Sequence, residues 1–104
     1  MTGDLVFVSG QLALKPGPGH QPEGEITEQT EQVFANLKAI LEEAGSGLDR
    51  LLKTTVYLAD LGDFQAMNEV YARHVGNRPP ARATVEVAAL PSGALVEIEA
   101  IAQL

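Results

Sequence analysis

The sequence predicts an α+β fold, a mixed β-sheet with two helices packed on one face. Three observations lead there. Four short runs rich in β-branched and aromatic residues read as strands. Two longer stretches repeat apolar residues at the spacing of an amphipathic helix. The runs and stretches follow one another in the order β-α-β-α-β-β, with Gly- and Pro-containing turns between them.

Leu5-Val6-Phe7-Val8-Ser9-Gly10 is a continuous apolar run and opens the sheet, with Gln11 to Leu14 as its extension. Residues 15–24 are dense in Pro and Gly and form a loop. Thr27 is the expected N-cap of the first helix, and Glu28 and Glu31 suit the positive end of its dipole. Val33, Leu37, Ile40, Leu41 and Ala44 then recur at helical spacing until Gly45 stops the helix.

Lys53 to Ala59 is the second strand, with Thr54, Val56 and Leu58 on one face. Asp60 and Asp63 offer caps for a second helix, whose stripe is Phe64, Met67, Tyr71 and Val75 and whose end is Gly76. Pro79-Pro80 leads into the third strand, Ala81 to Val87. A turn at Leu90-Pro91-Ser92-Gly93 joins it to the last strand, Ala94 to Ile101.

Counting layers adds an expectation about assembly. Leu5 and Phe7 point to one side of the first strand and Val6 and Val8 to the other, so the strand reads as buried on both faces. Two helices cover only one face of a four-stranded sheet. A homo-oligomer that packs sheet faces together is the economical cover for the second.

Bulk properties exclude several function classes. With 104 residues the chain is expected to be one domain, residues 1–104. Its formal net charge is −7, with only seven Lys and Arg. That balance argues against nucleic acid, which calls for clustered basic residues. The absence of cysteine rules out disulfides and thiolate chemistry. No signal-peptide pattern and no apolar run of about 20 residues is visible, so the expectation is a cytoplasmic protein that does not contact membranes.

Two charges stand inside otherwise apolar strands: Arg82 in Ala81-Arg82-Ala83-Thr84-Val85 and Glu97 in Leu95-Val96-Glu97-Ile98. Arg82 shares its face with Thr84 and follows a rigid Pro-Pro segment. A guanidinium on such an element is well placed to grip a carboxylate through two parallel hydrogen bonds. Taken singly, each residue has a plainer reading. A strand arginine is more often an ion-pair partner. Glu97 and Glu99 can be solvated or paired with Lys53, Ser9 can be a strand-end residue, Asn68 a helix-surface amide and Thr84 only a strand former. His20 and His74 lack a second ligand at metal spacing, so neither a metal nor a cofactor is expected.

The joint pattern is more specific than its parts. Leu5-Val6-Phe7-Val8-Ser9-Gly10-Gln11, Lys53-Thr54-Thr55-Val56-Tyr57-Leu58, Phe64-Gln65-Ala66-Met67-Asn68-Glu69-Val70-Tyr71, Pro80-Ala81-Arg82-Ala83-Thr84-Val85-Glu86-Val87 and Val96-Glu97-Ile98-Glu99-Ala100-Ile101-Ala102 resemble the reactive intermediate deaminase family, also called Rid, YjgF or endoribonuclease L-PSP-like. The resemblance covers essentially the whole chain. It implies a chorismate-mutase-like fold, a homotrimer with sheets facing the trimer core, and sites in the clefts between subunits.

It also implies hydrolysis of 2-imino and 2-enamino acids, such as 2-iminopropionate and 2-aminoacrylate, to 2-keto acids and ammonia. By motif, the carboxylate-binding arginine is Arg82, and the site-lining serine, asparagine and glutamate are Ser9, Asn68 and Glu97. Thr84 stands two after the arginine, where the family often has Cys. Glu97 would act as general base or proton relay. The family's N-terminal Gly-Pro-Tyr motif is missing from this sequence: either the start codon is placed too late, or the strand is absent, in which case an open sheet edge and a cleft lacking one wall are expected. A non-catalytic trimer binding keto acids is the alternative. A ribonuclease or translation inhibitor, an activity attributed to some relatives, fits the acidic charge less well.

Overall fold

A computed structural model describes residues 3–104. Its elements are β1 (Leu5–Gln11), α1 (Ile26–Glu43), β2 (Leu51–Leu58), α2 (Phe64–Val75), β3 (Ala81–Glu86) and β4 (Val96–Gln103). They form one mixed four-stranded sheet in the order β1-β4-β2-β3, with both helices on one face. The α+β class and the element order are as the periodicity predicts.

The pairing carries information the strand order alone does not. β4 runs antiparallel to both β1 and β2, so the last strand occupies a central position. β3 is joined to β4 by the turn at residues 90–93 yet does not pair with it. Instead, β3 pairs in parallel with β2, and α2 makes the crossover between them. A parallel pair needs such a crossover, because a short turn cannot return the chain to the same end of the sheet. The consequence is that Arg82 lies on an edge strand.

Local chemistry accounts for where the helices differ from expectation. α1 starts at Ile26, before Thr27, because the Glu28 carboxylate accepts the Glu25 N–H at 2.8 Å and makes Glu25 the cap. Gly24, at φ +89°, turns the chain into that position. At the other end Gly45 adopts φ +87° and Ser46 N–H donates to the Leu41 carbonyl at 2.7 Å, so the predicted stop is where glycine allows a left-handed cap. A 3₁₀ turn at Leu61–Asp63 precedes α2, and the Asp60 carboxylate accepts from Gly62 N–H at 2.8 Å.

One face of the sheet meets the helices and holds the core. Val8, Val56, Leu58, Val96 and Ile98 pack there against Phe34, Leu37, Leu41 and Met67. Ile40, placed in the buried stripe by its spacing, is partly exposed, and Phe34 is fully buried in its stead. Val70 likewise belongs to the buried face of α2, whereas Phe64 is partly exposed. The other face of the sheet has no cover among the described residues. Phe7 (54%), Leu52 (44%) and Val85 (42%) remain open to solvent there or at its margin.

Candidate functional site

Arg82 sits in a cradle built by β2, β3 and α2. Pro79-Pro80 delivers the chain to the first residue of β3, and the parallel register sets Arg82 beside Thr54 and Thr84 beside Val56. Thr54 and Val56 are fully buried under the helices, so Arg82 and Thr84 face the helix side of the sheet. There Arg82 Nη1 donates to Asn68 Oδ1 at 2.6 Å. The guanidinium carbon lies 4.5 Å from the Tyr71 ring centroid and 5.4 Å from that of Phe64. Phe64, Asn68 and Tyr71 are spaced four and three apart on α2, which stacks them along one helix face.

Two further features mark this cradle. Arg82 makes no ion pair with a carboxylate among the described residues. The Thr84 hydroxyl is buried and has no hydrogen-bond partner, a condition that costs about 1–3 kcal/mol in a folded chain. Beside Arg82 opens a cleft of about 390 Å³, lined by Asn68, Tyr71, Val75, Pro79 and Pro80. Tyr71 OH is bonded to Thr54 Oγ1 at 2.6 Å. Burial pushes the Tyr71 phenol above its ordinary value, against the opposing pull of the Thr54 bond and the Arg82 charge.

Glu97 lies elsewhere. It pairs with Tyr57, whose side chain is on the uncovered face, so its carboxylate points away from the helices. β1 is irregular opposite this region, between the pairs Val8–Ala100 and Gln11–Ile98, and the irregular stretch is Ser9-Gly10. A Cβ on Gly10 would come within 2.8 Å of the Glu97 carboxyl carbon, so glycine makes room for that acid. Nearby, Tyr57 OH donates to Glu99 Oε1 at 2.7 Å, and this bond holds the Tyr57 phenol above its ordinary value. Lys53 turns to Thr55 Oγ1 at 3.1 Å rather than to either glutamate. Lys53, Thr55 and Glu99 border a small hollow of about 190 Å³, together with Phe7 and Ile101.

One chain therefore gathers Arg82, Asn68 and Thr84 on the helix side, with Ser9 and Glu97 at the β1–β4 junction on the sheet's other side. It does not bring Arg82 and Glu97 together. Sequence reasoning missed Tyr71 and Phe64 as neighbours of Arg82 and Gly10 as the space for Glu97. The Phe-x3-Asn-x2-Tyr spacing carried the first signal. His74 is bound to Glu31 and His20 is exposed. No group of three or more metal-ligating side chains occurs among the described residues, and no helix among them is long and apolar enough to cross a membrane.

Comparison with known proteins places these features in context. A family model described as Endoribonuclease L-PSP matches residues 1–104. A RutC family protein of Pyrococcus abyssi is 52% identical over 100 residues, covering 96% of this chain and 79% of its own length. A 2-iminobutanoate/2-iminopropanoate deaminase of Mus musculus is 45% identical over 97 residues, 93% of this chain and 72% of the mouse protein. Among solved structures, RidA from the Antarctic bacterium Psychrobacter sp. PAMC 21119 superposes with a TM-score of 0.94 at 46% identity. The match covers 100% of this chain and 84% of the other.

Proposed function

Because the chain belongs to the endoribonuclease L-PSP family, the family of the reactive intermediate deaminases, we propose that it hydrolyses 2-imino and 2-enamino acids to 2-keto acids and ammonia. The observation that carries this reading is Arg82: a half-buried guanidinium, ring-stacked, bonded to Asn68, without a carboxylate partner among the described residues and open to a cleft. A ligand carboxylate supplies the missing counter-ion through two parallel hydrogen bonds. Thr84, on the same strand face as Arg82 and with its hydroxyl unpaired, is the further donor this reading assigns to the site.

The chemistry then needs a water and a base. The protonated imine is electrophilic by itself, so the step calls on no metal. Glu97 takes a proton as the water oxygen bonds to C2, giving a carbinolamine. Return of that proton to nitrogen lets the C–N bond break, and as C=O forms Glu97 takes the hydroxyl proton and ammonia leaves. For an enamine, protonation of C3 by the Glu97 carboxyl comes first. Ser9 and Asn68 orient water and substrate. Because Arg82 and Glu97 lie on opposite faces of the sheet, the complete site forms between copies, with Arg82 from one and Glu97 from its neighbour in a homotrimer.

The test is loss of 2-iminopropionate, generated in situ by an amino-acid oxidase. The protein is expected to accelerate it. Arg82→Ala is expected to lose about 2–4 kcal/mol of transition-state stabilisation, roughly 30- to 1,000-fold in kcat/KM. A folded protein that binds pyruvate saturably without any acceleration would instead be a keto-acid-binding module.

A further inference from the structure

We propose that Tyr71 is a positioning residue for Arg82, its ring the floor that fixes the guanidinium plane and the Thr54 hydroxyl the tether that fixes the ring; this rests on the reading of Arg82 as the carboxylate anchor. An arginine on an edge strand has four flexible side-chain torsions, and bidentate capture of a carboxylate requires one plane and one in-plane rotation. Asn68 Oδ1 sets the rotation by taking one Nη1 hydrogen at 2.6 Å. It cannot set the plane, because a single bond leaves the group free to tilt about it. The Tyr71 ring 4.5 Å away covers one face and does set the plane. The Phe64 ring, at 5.4 Å, is the weaker neighbour and is itself partly exposed.

The ring is in turn held on two sides. Its hydroxyl bonds Thr54 Oγ1 at 2.6 Å, both residues being buried, and Thr54 is the register partner of Arg82 on the adjacent strand. Phe34 meets the ring edge-on, centroids 5.5 Å apart at 77°. Floor, tether and anchor thus share one strand pair and one helix, so the alignment is built into the fold. A tyrosine serving only to fill the core would need neither the cation above it nor a threonine at the strand position beside the arginine.

A double-substitution cycle and a ligand-free spectrum test this together. In 15N-labelled protein without ligand, the Arg82 Nε–H signal is expected to show a ring-current shift that survives Tyr71→Phe and disappears in Tyr71→Leu. In the imine assay, Tyr71→Leu is expected to raise KM about tenfold with kcat changed less than about threefold. Tyr71→Phe, which removes only the tether, is expected to raise it about two- to threefold. In an Arg82→Ala background the Tyr71 substitutions should add nothing further. An unchanged Arg82 signal in Tyr71→Leu, or effects that multiply in the double variants, overturns the proposal. Should Tyr71→Leu fail to fold, Tyr71→Phe and Thr54→Val carry the cycle, and effects that multiply with Arg82→Ala in the double variants overturn the proposal. If the wild-type protein neither turns over imine nor binds pyruvate, the deaminase reading fails while the Arg82 spectrum still decides the positioning claim.

Discussion

Thr84 shows how one atom can separate stability from function. Its hydroxyl is buried and unpaired on the same strand face as Arg82. Thr84→Val keeps the shape and removes that unsatisfied group, so the ligand-free protein is expected to gain about 1 kcal/mol in urea unfolding while KM for the imine rises several-fold. No gain in stability would mean the hydroxyl has a partner. Gly10 offers the complementary case: a methyl there collides with the Glu97 carboxylate. Gly10→Ala is expected to displace Glu97 and cut kcat by about tenfold or more, read by steady-state kinetics with circular dichroism as the fold control. At this scale the sequence was half legible. Arg82, Thr84 and Asn68 stand out as polar residues in apolar or helical settings, and two of them do meet. The Thr84 orphan and the Gly10 clearance depend on what a distant strand or helix brings alongside, which no local pattern records.

Between the helices, Glu31 of α1 ties down the end of α2. Its two oxygens accept from Arg73 at 2.9 Å and from His74 at 2.6 Å, and the His74 ring stacks on Phe34 with centroids 4.6 Å apart. The His74 bond first, then that of Arg73, holds the Glu31 carboxyl below its ordinary value. A depressed carboxylate stabilises the fold above its unfolded value, near 4.5, and loses that contribution as pH falls through the lower folded value. Because the pair is exposed, the effect is expected to be only about 0.5–1 kcal/mol. Glu31→Gln should therefore lower stability by that amount at pH 7. The gap should close below about pH 4.5, as read by denaturation at a series of pH values. A gap that persists at pH 3 would contradict the assignment. The helices themselves were legible from their stripes and from Gly45. The start of α1 was not, because a Glu25–Glu28 cap outcompeted the expected Thr27, and the stripe took in Ile40 and left out Phe34 because helical spacing alone does not record which flank the sheet covers.

For the whole molecule, the decisive fact is that Arg82 and Glu97 occupy opposite faces of one sheet. The apolar second face of β1 was legible in Leu5 and Phe7, and Phe7 indeed stands exposed in the single chain. What could not be read locally was that β4 enters the sheet centre and leaves β3 at the edge, since pairing across such separations is a property of the assembled sheet. If copies cover this face, Phe7→Asp is expected to convert the assembly to smaller species in sedimentation velocity and to abolish activity with it. The most direct test mixes two strongly impaired variants. Arg82→Ala and Glu97→Gln are each expected to lose deamination, and co-expression in equal amounts should restore about a quarter of wild-type activity, as mixed assemblies regain sites with both groups. Activity no higher than that of the separate variants would contradict a site shared between copies.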